Sequence, residues 1–415
     1  MSPSRRRAGA LERPALARCV GVTGKEFFDD HWGRRPLLSR GSGAGYDDLL
    51  NTADVDELVS RRGLRAPFIR MAKRGQLIDP SHYTGAGGAG ADVPDQALDE
   101  RILGLFSDGA TLVLQGLHRL WPPLIEFAGQ LTTDLGHPVA VNAYLTPPDN
   151  QGFATHYDTH DVFALQVSGT KRWRVHPPVV IDPLPTQPWS GHTEEISATA
   201  KGAPVLDALL SPGDALYLPR GWLHSAQAQD DLSMHLTVGI MAVTRNTLVT
   251  ELLDMAVDEP ELRRSLPPAI EIGDPHQLAG ELTETVRTLT RWLEKADPEA
   301  VAARLRQKLW PQGRPAPIRP LTQSAALLSL SPNVRITARR HARWRLTEED
   351  VSTGQVTLQC FDRTIRFPAY CGDALRRLSA GEPTAVRDLP GLDPADQLTL
   401  ARRLLREAVV VPVDE

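Results

Sequence analysis

Residues 142–174, NAYLTPPDNQGFATHYDTHDVFALQVSGTKRWR, decide how this chain is read. They contain an H-x-D step, His156-Tyr157-Asp158. On a β-strand residues i and i+2 face the same side, so both side chains can reach one ion from one strand. A third donor, His224, follows the turn Pro219-Arg220-Gly221-Trp222 in PRGWLHSA. Two imidazoles and one carboxylate can occupy one face of an octahedral iron and leave three positions open. The competing reading of the H-x-D step alone is a hydrogen-bonded polar pair at a strand end. The separation to His224 spans several strands, as a site inside a barrel requires.

Working outward, PVAVNAYLTP (138–147), THDVFALQVSG (159–169) and TKRWRVHPP (170–178) each read as a strand. Ser168-Gly169-Thr170 reads as a hairpin-like connection between the last two. If 160–167 and 171–176 pair, Lys171 can point into the barrel, where a buried ammonium needs an anion. Otherwise Lys171 is a solvated turn residue, as lysines commonly are. Two further strands flank Pro212-Gly213-Asp214, and LSMHLTVGIMAV (232–243) closes the set. Many short strands separated by turn signals predict a double-sheet jelly roll or barrel.

The totals exclude several classes. A chain of 415 residues with 41% hydrophobic and 23% charged residues is a multidomain globular protein. Its net charge of −5 argues against direct nucleic-acid binding. No apolar run is long enough for a membrane span. Cys19, Cys360 and Cys371 lack zinc-site spacing and are too few for a disulfide framework, which points to a reducing, cytoplasmic setting. Residues 1–20 read as a partly disordered basic leader with no signal-peptide core.

The remaining segments divide the chain into 1–99, a helical and irregular region packing on the core; 100–245, the β core; 246–325, a helical domain; and 326–415, a winged-helix-like module. Phe27, Phe28 and Trp32 lie on a short amphipathic helix ended by Arg35-Pro36, and 46–61 reads as two short helices, with Thr52 or Asp54 capping the second. TGAGGAGAD (84–92) lacks the lysine of a phosphate loop and reads as a flexible, disordered connection. WPPLIEFAGQLTTDLG (121–136) is a helix with prolines at its start and Gly136 at its end. Segment 313–320, GRPAPIRP, reads as a stiff linker. Arg335, Arg339, Arg340, Arg343 and Arg345 cluster in sequence, but Glu348, Glu349 and Asp350 follow directly, which favours a solvated mixed face over an RNA or protein docking patch.

Taken together, NAYLTPPDNQGFATHYDTHDVFALQVSGTKRWRV, PGDALYLPRGWLHSA and HLTVGI resemble the JmjC-type 2-oxoglutarate oxygenases, in particular their ribosomal-oxygenase branch. The resemblance implies an α+β multidomain protein with a double-stranded β-helix (cupin/JmjC) core, a helical dimerisation domain and a winged-helix-like module. It implies that His156, Asp158 and His224 bind Fe(II), and that Lys171 pairs with the distal carboxylate of 2-oxoglutarate, with O2 as the second co-substrate. Asn142 and Thr237 would help hold the oxo acid, and Tyr144 would line the same pocket. Where the family commonly carries Asp-Val-Glu after the H-x-D step, this chain has Thr159-His160-Asp161. His160 shares the ligands' parity and is expected around the metal without touching it. His235 is a second candidate for the pocket wall, against the alternative of a core histidine with a backbone partner. Trp173 and Tyr157 are expected in the core, and Trp222 beside the site.

The function so implied is hydroxylation of a C–H bond on a ribosomal-protein side chain by a homodimeric enzyme. The same chemistry on a small molecule or a carrier- or peptide-linked amino acid is the alternative, followed by a cupin with another metal and by a non-catalytic ligand-sensing winged-helix protein. The pocket walls are expected from loops 60–95 and 177–203.

Overall fold

In the computed structural model, residues 13–41, 45–73, 75–347 and 354–413 are described. They form two units, 1–242 and 243–415.

The first unit is built on strands β1 (Leu37–Ser39), β2 (Ile69–Lys73), β3 (Gln76–Leu77), β4 (Thr84–Gly85), β5 (Gln96–Ala97), β6 (Thr111–Leu114), β7 (Val139–Thr146), β8 (Asp161–Ser168), β9 (Lys171–His176), β10 (Leu206–Leu210), β11 (Ala215–Leu218), β12 (Leu223–Ala228) and β13 (Ser233–Ile240). Eight of them make one antiparallel sheet in the order β1-β11-β8-β13-β7-β6-β2-β3, and β10-β9-β12 make a smaller sheet. This is the cupin-type double-sheet core. β8 is buried along nearly its whole length, as a central strand must be. β9 alternates: Lys171, Trp173 and Val175 are buried, while Arg172 and Arg174 face outward toward Asp207 at 2.7 and 3.7 Å.

The expected hairpin between β8 and β9 does not form. β8 pairs with β11 and β13, β9 pairs with β10 and β12, and the connection is a corner between the sheets. Gly169 turns that corner at φ +60°, where a Cβ would lie 2.2 Å from the Leu232 carbonyl oxygen. A left-handed glycine marks such a corner as readily as a two-residue turn, so the local sequence cannot separate them.

Around the core, helix Pro122–Leu135 starts on its prolines and ends at Gly136 in the left-handed conformation. Its buried Asp134 accepts the backbone N–H groups of Ala15 and Leu16 at 2.9 and 3.0 Å, fixing helix Pro14–Cys19 of the basic leader, whose residues 1–12 lie outside those described. Segment 46–61 holds one helix, Thr52–Arg61. Its cap is Asn51, in a capping box with Asp54, so neither Thr52 nor Asp54 is the cap and 46–50 is a turn. The glycine-rich 86–92 closes the β4–β5 ribbon, with Gly87 N–H donating to Val93 O, where disorder was expected.

The second unit contains helices Arg245–Ala256, Pro275–Leu293, Pro298–Leu309 and Pro320–Leu328. It also has two three-stranded sheets and helices Gly372–Ser379 and Pro394–Arg406 around a core of its own. Buried Glu251 pairs with Lys308 and Arg304. The proline-rich stretch near 316 is pinned: Ala316 N–H donates to Arg340 O, and Arg339 Nε donates to Ala316 O at 2.6 Å. Arg335 donates to Pro383 O and Arg345 pairs with Glu299 at 2.8 Å, so several of the clustered arginines have local partners. Glu348, Glu349 and Asp350 lie outside the described residues.

Gly169→Ala is expected to destabilise the first unit by roughly 2–4 kcal/mol, from backbone strain plus the clash with Leu232 O. Urea unfolding followed by tryptophan fluorescence measures it, and an unchanged midpoint would show that the corner can relax.

Candidate metal centre

His156 and Asp158 do not sit on a regular strand. Residues 151–156 run beside β12 as an irregular edge, through isolated antiparallel bridges Gln151–Gln227 and His156–His224. The second bridge is complete: His156 N–H donates to His224 O at 3.2 Å and His224 N–H to His156 O at 2.9 Å. Directly opposed residues of an antiparallel pair project to one side, and the imidazole centroids lie 4.5 Å apart. Gly221, at φ +86°, donates its N–H to Asp158 O at 3.0 Å. A Cβ there would be 2.4 Å from Val180 O.

The ligand atoms of His156, Asp158 and His224 all lie within 4.8 Å of one another. Each imidazole is already oriented. His156 Nδ1–H donates to Ala154 O at 2.8 Å and His224 Nδ1–H to Trp222 O at 3.1 Å. A carbonyl only accepts, so each ring carries a proton on Nδ1, which leaves Nε2 as the atom that could meet a metal. Burial pushes the His224 pKa down to about 4, which keeps it neutral. Burial opposes ionisation of Asp158, but His224, His160 and His156 outweigh it and hold the carboxyl below its usual range. The His224 Nε2 to Asp158 Oδ2 separation of 3.7 Å is too long for a hydrogen bond. Two imidazoles and a carboxylate, converging without bonding each other, fit a divalent cation.

The three face a cavity of about 320 Å³ between the two sheets. Lys171, Asn142, Tyr144, Thr237, His160 and His235 all line it. Lys171 reaches the interior because it shares parity with Trp173 and Val175 on β9, not because β9 pairs with β8. Its Nζ donates to Thr146 Oγ1 at 2.9 Å and lies 3.4 Å from His235 Nδ1. Neither partner is a carboxylate, and burial pushes its pKa down to about 7. His235 is buried and neutral, pushed well below its usual pKa by burial and then by Lys171. Its partner is Lys171, where a backbone group was the expected one. Tyr144 stacks on its ring at 5.1 Å and burial raises the phenol to about 12. Asn142 and Thr237 face each other across β7 and β13, and Asn142 Oδ1 accepts from Gly116 N–H at 3.0 Å. His160 rests on Gly239: a Cβ there would lie 2.7 Å from its ring. Trp173 is core and cavity wall at once, 6.0 Å from the His224 ring. Tyr157 points away and packs against Ile196 and Leu223, and Trp222 packs on the small sheet's core. Segment 177–203 reaches the site through Trp189, 6.1 Å from the His156 ring. Thr111, Thr146 and Arg70 are among the wall residues not named from the sequence. The signal for Arg70 was a lone cation between Ile69 and Met71, both fully buried.

A double-stranded β-helix with a His-x-Asp and a distant His converging in its mouth defines the class as a cupin-type, metal-binding core. The family model for the JmjC domain matches residues 126–248, so that part of the chain is a JmjC domain. It is 33% identical over 282 residues to human "Ribosomal oxygenase 1", spanning 64% of this chain and 40% of that protein. It is 31% identical over 255 residues to the Drosophila melanogaster "Bifunctional lysine-specific demethylase and histidyl-hydroxylase NO66", spanning 59% and 37%. The chain thus spans less than half the length of the curated relatives it matches. The fold is also that of the Escherichia coli ribosomal oxygenase YcfD in complex with cobalt and succinic acid: TM-score 0.55, 16% identity, 95% of this chain and 99% of that one.

Lys171 gives a pH signature independent of activity. Its ordinary pKa is 10.5 and its buried one about 7, so within that window the unfolded chain holds a proton that the folded chain has released. Stability of the ligand-free protein therefore rises with pH from about 7 to 10.5 and is lost as pH falls, by at most roughly 1.4 kcal/mol per pH unit. Urea midpoints between pH 7 and 9.5 should climb less steeply in Lys171→Met than in the wild type. Equal slopes would locate the titration elsewhere.

Proposed function

We propose that this protein is an Fe(II)- and 2-oxoglutarate-dependent oxygenase that hydroxylates a C–H bond on a ribosomal-protein side chain. The observation that carries this reading is the pairing, in one cavity, of a tautomer-fixed His-Asp-His set with a buried ammonium that lacks a carboxylate. The names of the relatives support the substrate class, and a YcfD structure described as a complex with cobalt and 2-oxoglutarate supports the cofactors.

In this reading His156, Asp158 and His224 hold the iron by Nε2, a carboxylate oxygen and Nε2. Lys171 takes the distal carboxylate of the oxo acid, which removes the cost of its unpaired charge. Asn142, Thr237 and Tyr144 flank that carboxylic acid, while His235 fixes Lys171 and Tyr144, and His160 forms the wall on the Gly239 side. With O2, the bound metal and oxo acid supply oxidative decarboxylation to succinate and CO2 coupled to hydroxylation. The chain's own tasks are orientation and exclusion of water, and no side chain has to act as a general base.

The helical segment serves as the dimer interface. Leu282, Val286 and Leu293, spaced along one face of Pro275–Leu293, are 57%, 52% and 38% exposed, and only Thr288 of that helix is buried. The C-terminal module is winged-helix-like, and Arg335 and Arg345 of its arginine cluster have local partners. Three free buried cysteines suit a cytoplasmic setting, and no helix among the described residues is long and apolar enough to cross a membrane.

His156→Ala and Asp158→Ala are expected to abolish coupled 2-oxoglutarate turnover and Mn(II) binding while leaving the circular dichroism spectrum unchanged; retained metal binding would remove the ligand assignment. Lys171→Ala should weaken 2-oxoglutarate binding by roughly 10- to 100-fold through loss of a charge-assisted contact. Peptide mass mapping of ribosomal proteins treated with active enzyme should reveal one residue gaining a single oxygen. Val286→Asp should convert a dimer to a monomer in sedimentation velocity, and an unaltered profile would move the interface elsewhere.

A further inference from the structure

Arg70 is a charged residue of the cavity that neither the metal set nor the oxo-acid set uses. Its position is dictated by register. Arg70 pairs with Val113, Val113 with Tyr144, Tyr144 with His235, and His235 with Gln166. Directly paired residues of antiparallel strands share a face, so Arg70 lies on the same side as Tyr144 and His235, at the β2 end of the row that crosses the metal cavity. It also lines a second hollow of about 360 Å³ with Leu77, Ile78, Pro80 and Tyr83.

Its guanidinium is unmatched. Arg70 Nε is buried with no hydrogen-bond partner, as is the Tyr83 hydroxyl beside it. Among the described residues no carboxylate forms an ion pair with Arg70. The nearby Asp79 is engaged: its Oδ1 accepts from Ser81 N–H and Ser81 Oγ at 2.9 and 2.6 Å. Lys171 is matched by the distal carboxylate of the oxo acid and Asp158 by the metal, which leaves Arg70 as an uncompensated cation on the wall. An Nε–H with an Nη–H alongside is the guanidinium edge that takes a carboxylate in bidentate fashion.

We propose that Arg70 is the substrate-reading cation of this cavity: its guanidinium receives, through Nε–H and an Nη–H, a carboxylate that the substrate carries beside the carbon to be hydroxylated. The inference rests on the proposed oxygenase reading for which carbon reacts, and on geometry alone for which charge is read. The carboxylate comes from an acidic side chain or from a chain terminus. The row of paired residues gives the order along the wall. Lys171 is buried and Arg70 half-buried, so the ammonium proposed for the co-substrate lies deeper than the guanidinium.

The test uses the full-length protein loaded with Mn(II) and N-oxalylglycine, and random seven-residue peptide libraries with free or amidated C-termini. Wild type is expected to enrich Asp or Glu at one position, or to bind only free-terminus peptides if the terminal carboxylate is the group read. Arg70→Met should lose that preference by roughly 10- to 100-fold, and Arg70→Glu should select Lys or Arg there, with both variants keeping the wild-type thermal midpoint within a few degrees and the wild-type affinity for 2-oxoglutarate. No acidic preference in wild type, or the same preference in Arg70→Met, overturns the proposal. Loss of 2-oxoglutarate binding in Arg70→Met overturns it too, by assigning the residue to the co-substrate. If wild type binds neither Mn(II) nor 2-oxoglutarate yet selects acidic peptides through Arg70, the oxygenase reading falls and this one stands.

Discussion

The site depends on a single isolated backbone bridge. Between His156 and His224 both possible hydrogen bonds are made, and no regular strand pairing continues on either side of them. Without that bridge, residues 147–160 would meet β12 only around Gln151, through the Gln151–Gln227 bridge, and the two imidazoles would not be held directly opposite each other. With it, two ligands are placed before any metal arrives. The Gly221 N–H to Asp158 O bond adds the third. Backbone bonds cost little reorganisation, so the donors are presented in an arrangement set by the chain. The two Nδ1–H to carbonyl bonds complete the preparation by leaving Nε2 of each ring as the atom that could meet a metal.

The electrostatics follow from the same enclosure. Burial makes His224 and His235 neutral, and a neutral imidazole is what a ligand and a hydrogen-bond acceptor both require. Asp158 escapes neutralisation because imidazoles surround it. Lys171 has no such compensation within the protein. A hydroxyl and an imidazole nitrogen solvate its ammonium but bring no negative charge, so the cavity carries a standing cost that a bound carboxylate removes. A group retained at a net cost to the empty protein is a ligand-binding group by default.

Much of this was legible in residues 142–174 because alternation is a local property. The strands and the parity of Lys171 with Trp173 need no knowledge of neighbours, whereas His156 and Asp158 lie off any regular strand and are held by the His224 bridge and the Gly221 bond. Strand partnership is not local. The β8–β9 connection looked like a hairpin and is a corner, yet Lys171 still faces inward, since parity along β9 does not depend on which strand lies beside it. His160 shows the opposite limit. Its place is set by the missing side chain of Gly239, 79 residues later, and no spacing rule joins the two. The cap at Asn51 was missed by one residue because Asn51, Thr52 and Asp54 are all competent caps, and only the reciprocal bond between Asn51 and Asp54 separates them.

Arg70 lies beyond sequence reading for a further reason. It comes from β2, far before the motif, on a strand of five residues of which three, Ile69, Met71 and Ala72, are apolar and buried. A lone arginine there reads as a surface residue. The sheet order decides otherwise: β2 follows β6 and β7, so the paired residues carry the face of Tyr144 outward by two strands and end on Arg70. The residues proposed to hold the metal and co-substrate come from one contiguous motif plus two later strands. The residue argued to read the substrate comes from β2, which lies between β6 and the edge strand β3. Strands at that margin can change without disturbing the bridge, the corner or the ammonium pocket, so a barrel of this kind can keep its chemistry while its target is altered from the periphery.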